Sequence, residues 1–196
     1  MIINIFLMCS TKKAADAAKN SSDTAITTMH LDQKAWLMFD ADYADTLRLH
    51  RIEEITVPVQ LRNIGKTPAR KIDGFVEVDE VPVNDVPKFD YTNPPRPIRL
   101  QGGLIYPGFP NTSEAAELTN DRTPVLATPE KRRKFENGKL AFVVWGRIAY
   151  EDIFGDGHWI KFCHSITNSP LGKFKACTDQ NTIDTVPKPE SASTKN

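Results

Sequence analysis

No stretch of this sequence is apolar over the roughly 20 residues that a membrane-spanning helix needs. Glycine is sparse, with 10 residues against 14 prolines. No glycine-rich phosphate loop and no Gly-x-Ser-x-Gly elbow occurs, so the nucleotide-binding and serine-hydrolase signatures are missing. Net charge is also missing: 25 basic residues cancel 25 acidic ones. A neutral chain has no global field to gather phosphates, which removes nucleic acid from the expected partners. The one basic run, Lys131-Arg132-Arg133-Lys134, lies between Glu130 and Glu136 and reads as the solvated face of a short helix. Cysteine is limited to three residues and histidine to four, His30, His50, His158 and His164. Nucleophilic catalysis needs a base held beside its nucleophile, and Ser165 next to His164 is adjacency without that geometry. No catalytic residue and no cofactor is expected.

What is present divides the chain into four parts. Residues 1–10 form a strongly apolar start. A signal peptide would need a basic leader and small residues at its cleavage site. Phe6, Leu7 and Met8 precede Cys9, which disfavours lipidation there. The preferred reading is the last turns of a membrane helix begun upstream, since Lys12 and Lys13 follow at once. An interfacial anchor and a disordered end are the alternatives. Residues 11–34 lack Pro and Gly, and Ala15, Ala18, Ser22, Ala25 and Met29 recur on one helical face. That face is too small in side-chain area to drive folding. It predicts an exposed stalk, or else a weak seam pairing copies of the chain.

Residues 35–180 change period. Ala35 to Phe39 reads as a first strand. Ile55, Val57, Val59 and Leu61 alternate with Thr56, Pro58, Gln60 and Arg62, the pattern of a half-buried strand, and Pro58 predicts an edge position or bulge. Asn63 to Ala69 turns the chain, with Asn and Gly tolerating positive φ. Arg70 to Asp79 resumes as a strand, with Gly74 marking a bulge. Pro82, Pro87, Pro94, Pro95, Pro97, Pro107 and Pro110 make residues 80–111 an irregular segment, with Leu104 to Tyr106 its best short strand. Thr128-Pro129-Glu130 caps a two-turn helix that Asn137-Gly138 ends. Leu140 to Tyr150 is apolar on both faces and predicts a central strand. Glu151 to Gly157 turns it into His158 to His164, with Ile160 and Phe162 pointing one way. Leu171 to Cys177 supplies a last strand. Residues 181–196 read as a disordered tail. About seven short strands predict a mainly β fold, an immunoglobulin-like antiparallel β-sandwich preceded by the N-terminal helix.

Two sets of residues carry a resemblance. Asn63-Ile64-Gly65-Lys66-Thr67-Pro68-Ala69 after an alternating strand resembles the N-x-G-x-x-P-A turn of bacterial CARDB-like, immunoglobulin-type adhesion modules. Gly146 to Gly155, His158-Trp159, Phe162-Cys163 and the helical Lys13 to Lys19 segment are similar to a group of uncharacterised bacterial membrane proteins. Over residues 12–180 the resemblance implies upstream membrane helices, a helical stalk and a soluble β-sandwich, with no activity. The chain departs from it in lacking a complete membrane helix.

Several constellations are candidates for a site. Cys163 and Cys177 sit on strands expected to be neighbours. A disulfide between them would stabilise by about 3 kcal/mol in the loop-entropy view and place the domain outside the cytoplasm; two unrelated thiols are the alternative. A zinc site from His158, Cys163, His164 and Cys177 is disfavoured, because adjacent strand residues face opposite ways. Glu151, Asp152 and Asp156 lack the ligand alternation of a calcium loop, and Asp152 is expected to cap the turn instead. Tyr91, Tyr106 and Phe109 are the candidate binding surface, unless they pack on the sandwich edge.

The expectation is therefore a non-catalytic, membrane-tethered module that binds protein or glycan, or spaces domains, with its soluble part periplasmic. A metal-dependent hydrolase near His158, His164 and Glu151 is the alternative, as is a cytoplasmic accessory protein.

Overall fold

The computed structural model describes residues 2–40, 54–83, 85, 87–167 and 174–184; of residues 2–10 and Glu114 it describes the backbone alone. The architecture is mainly β and antiparallel, with a long N-terminal helix and one short internal helix, the class expected from the sequence.

Helix α1 spans Ile2–Gln33, about 48 Å at 1.5 Å per residue. Residues 11–29 are all exposed, and Thr24, Thr27 and Thr28 return their hydroxyls to carbonyls one turn back. Among the residues with described side chains, its last turns meet the sandwich.

Strands β1 (Leu37–Asp40), β2 (Thr56–Asn63) and β5 (Pro110–Ala116) form the smaller sheet in the order β1-β2-β5. The larger sheet runs β4-β3-β6-β7-β8, with β9 also on β7. Its members are β3 (Ala69–Pro82), β4 (Ile98–Ile105), β6 (Leu140–Glu151), β7 (Gly157–Thr167), β8 (Lys175–Ala176) and β9 (Thr182–Ile183). Helix α2 (Pro129–Glu136) starts as its sequence predicts: the Thr128 hydroxyl accepts from Lys131 N–H at 3.2 Å, and Gly138 follows the helix at φ 66°. Its Phe135 is fully buried beside Phe142.

The main core lies between the sheets. It takes Val57, Val59 and Leu61 from β2, Val76 and Val78 from β3, and Phe142, Val144 and Ile148 from β6. A second core covers the outer face of the larger sheet. There Trp145 stacks on Phe89 at 4.5 Å and meets Phe75 and Tyr91 edge-on, beside Val143 and Cys163. This is why residues 141–145 of β6 are buried without alternation: both faces are covered.

The structure corrects several expectations. The irregular segment contains strand β4 and the start of β5, and the described residues form nine strands rather than about seven. Pro58 is buried, and β2 is the central strand of its sheet. Among the described residues β1 pairs with residues 60–63 of β2 and does not reach Pro58, so no ladder bond to β1 is asked of the proline there. The β3 irregularity falls between Arg70 and Asp73, with Lys71 at φ 48°, not at Gly74. Gly74 instead admits the Arg147 carbonyl, where a Cβ would collide with backbone. The last strand is only Lys175–Ala176, while residues 171–173 of that prediction lie outside the described residues. The ordered fold continues to Asp184, through β9, so residues 181–184 are not a tail.

Candidate functional site

The Asn63–Ala69 turn does more than reverse the chain. Asn63 is fully buried. Its side-chain N–H groups reach Thr67 O at 2.7 Å and Ile105 O at 3.0 Å, and its Oδ1 accepts from Gly65 N and Trp36 N. A Cβ on Gly65 would overlap the backbone of Lys34, Ala35 and Trp36. Neither residue has positive φ; the turn needs Asn for its four hydrogen bonds and Gly for a close approach. What approaches is the end of α1. Thr67 Oγ1 donates to Gln33 O, and Lys66 pairs with Asp32. The turn is the socket of the stalk.

Behind it lies a buried chain of charges. Lys34 is 2% exposed, and its ammonium lies 3.1 Å from Asp184 Oδ2. The same oxygen is 2.7 Å from His158 Nδ1, and His158 Nε2 is 3.0 Å from Asp152 Oδ2. With a carboxylate oxygen at each ring nitrogen, both contacts are hydrogen bonds only when both nitrogens carry hydrogen. Asp152 Oδ1 accepts from Phe154 N and Asp156 N at 2.9 and 3.0 Å, capping the β6–β7 turn. Burial pushes the Asp152 carboxyl up, but the hydrogen bonds from His158, Asp156 and Phe154 together hold it below the ordinary carboxylate range. Arg70 donates to Asp152 O. Tyr150 donates to Ala35 O at 3.1 Å, and burial pushes its phenol up to about 12. Outside this network, His30 of α1 stacks on Phe154 at 3.8 Å and faces Asp156 at 3.6 Å. A cleft of about 440 Å³ opens there, lined by Ile26, His30, Leu31, Asp156 and His158.

The other predicted residues fall elsewhere. Cys163 and Cys177 are joined by a disulfide, with Cα atoms 5.3 Å apart. Asn181 brackets the bond, accepting from Cys163 N and donating to Cys163 O and Cys177 O. With both sulfurs bonded and both His158 nitrogens facing carboxylates, the four-residue zinc constellation is not assembled. Among the described residues, no three His, Cys, Asp or Glu side chains group as metal ligands. Glu151 pairs with Lys71, and Asp152 and Asp156 turn to different partners. His50 lies outside the described residues.

Tyr91, Tyr106 and Phe109 do not share a surface. Tyr91 lies in the second core, its hydroxyl near Phe162 O and Gln180 O, and burial pushes it up to about 12. Tyr106 and Phe109 are 55% and 72% exposed in the β4–β5 turn. Gly108 N–H in that turn donates to Asn63 O, which brings in Ile64, itself 60% exposed. Ile64, Tyr106 and Phe109 thus form an apolar tip beside the stalk socket.

Sequence reasoning missed Lys34 and Asp184. The only signal for Lys34 was its place at the end of the helical pattern. Asp184 sat in polar sequence that carried none. Among the described residues, no helix is long and apolar enough to cross a membrane. Comparison of the chain with protein-family models, curated proteins and solved structures finds no match.

Proposed function

We propose that this chain is a non-catalytic binding or spacing module of the bacterial cell envelope: a CARDB-like, immunoglobulin-type sandwich carried on a helical stalk, tethered through its apolar start and facing the periplasm. The observation that carries the reading is the joint. A helix whose residues 11–29 are all exposed leads into a buried network of Lys34, Asp184, His158 and Asp152. Such a joint fixes the direction of the sandwich relative to its stalk, which a spacer needs and a linker does not.

Two further features support it. The Cys163–Cys177 bond suits an oxidising compartment. The exposed apolar side chains of Ile64, Tyr106 and Phe109 are of the kind used for contact with a protein or glycan. His158, the centre of any hydrolase reading, has both ring nitrogens engaged by structural carboxylates.

The test is fractionation of cells expressing the full chain, followed by non-reducing peptide mass spectrometry. The expected result is membrane-associated protein with Cys163 linked to Cys177, released on deletion of residues 1–10. Soluble protein with free thiols would overturn the proposal.

A further inference from the structure

Strand β4 closes one side of the larger sheet, and among the described residues it pairs with β3 alone. Strand β5 closes the smaller sheet on the same side. Between the two edges a groove of about 270 Å³ reaches the side chains of Val59, Leu61 and Ile72. Among the described residues the outer edge of β4 presents backbone N–H and C=O groups with no ladder partner, and such a row is a template for another extended backbone. Edge strands are commonly guarded by lysine, proline, acidic side chains or bulges. Ile98–Ile105 contains no Lys, Pro, Asp or Glu, and Arg99 is its single charge.

We propose that this edge pairs with the same edge of a second copy of this chain, antiparallel, about a two-fold axis through Gln101. The sequence of the strand complements itself in that register. A two-fold axis perpendicular to the sheet keeps residues of like facing opposite one another. Ile98, Leu100 and Gly102 are half-buried, whereas Arg99, Gln101 and Gly103 are exposed. With Gln101 opposite Gln101, Leu100 stands opposite Gly102 and Arg99 opposite Gly103. Leu100 and Arg99 therefore each meet a glycine, while Ile98 stands opposite the apolar Leu104. A Cβ on Gly102 would touch only Ile72, at 3.7 and 3.8 Å, and one on Gly103 would meet nothing within 4 Å. The partner's Leu100 enters the groove over Gly102 and covers Ile72. The two arginines are kept apart by four residues of strand, about 13 Å, so like charges do not face each other.

The experiment is sedimentation equilibrium of the full chain from about 10 µM to about 1 mM, since an edge-to-edge contact is small and weak. It compares wild type with G103E and G103K. Both side chains fit the isolated protomer, because the Gly103 position is open, and melting curves check this. In the dimer each substitution faces Arg99 twice. Glu is expected to tighten association and Lys to weaken it, together separating the two variants by about tenfold or more. Under mild oxidation, Q101C is expected to link to itself across the axis and R99C not to. Protein that is monomeric throughout would overturn the proposal. So would indistinguishable G103E and G103K variants, the result expected of an oligomer built through α1, or cross-linking at residue 99 as efficient as at 101.

Discussion

Lys34 and Asp184 are joined at 3.1 Å across 150 positions of sequence. One follows the stalk helix and the other follows β9, so the start of the sandwich and the last described residue meet at a buried ion pair. Its side chains are 3% and 12% exposed. The Lys34 ammonium also lies 4.3 Å from the centre of the Trp36 ring. Removing one partner of a buried pair leaves an uncompensated charge, which is far more costly than removing both.

K34M is therefore expected to destabilise the protein by about 3–5 kcal/mol, and K34M/D184L by markedly less than the sum of the single changes. Urea unfolding of the four proteins of the cycle checks this. Equal and additive losses would show that the contact carries no coupling.

Gly65→Ala is expected to damage the socket although it adds one methyl group. The new Cβ has nowhere to go, because every close neighbour is backbone of residues 34–36. A loss of about 2–4 kcal/mol is expected in thermal unfolding, together with amide-exchange changes confined to the end of α1 and β1. A variant that melts like wild type would mean the helix end can shift freely.

Reduction of Cys163–Cys177 is expected to lower stability by about 3 kcal/mol. The bond secures residues 174–184, which also carry Gln180 and Asp184. Gln180 accepts from Phe89 N–H and donates to Pro87 O. The emission of Trp145 should shift on reduction, because Phe89 covers its ring. An unchanged spectrum in reductant would show that the cover stands without the disulfide.

Stability should also depend on pH in a definite direction. Burial is the main cause that pushes the Glu77 and Glu117 carboxyls up to about 7, each against partial relief: for Glu77 a hydrogen bond from Arg96 N, for Glu117 the charge of Lys131. The folded protein then holds more protons than the unfolded chain between about pH 4.5 and 7. Their contribution is full below 4.5 and is lost as pH rises through 7. Asp152, held below its ordinary 3.8, works oppositely and withdraws its contribution as pH falls below that value. Denaturant midpoints should thus be highest in mild acid. E77Q/E117Q should flatten the decline toward neutral pH; a double variant with the wild-type slope would place the titrating groups elsewhere.

Legibility tracked the range of the interaction. Helix α2 was readable because Thr128, Pro129 and Gly138 act within a few residues of one another. Strand β6 was readable because both of its faces are apolar. Of β4 only the end, Leu104 and Ile105, was readable, and β5 was not, since Arg99, Gln101, Gly103 and Thr112 face solvent and edge strands need no regular apolar period. Asn63 and Gly65 stood out as turn residues for the wrong reason: their positions are set by the end of α1, which sequence spacing does not bring near. The joint itself was hidden: Asp152 and His158 were singled out as turn cap and candidate ligand, but Lys34 and Asp184 are ordinary residues until the fold brings them to His158.

The joint has a mechanical meaning. Tension applied along α1 enters the sandwich at Lys34 and divides into two paths. One follows the chain into β1, which holds β2 over four residue pairs. The other crosses Asp184 into a strap stapled to β7 by a covalent bond. The load is thus shared between the first strand and the strap, and the Lys34–Asp184 ion pair is the link through which the strap takes its part.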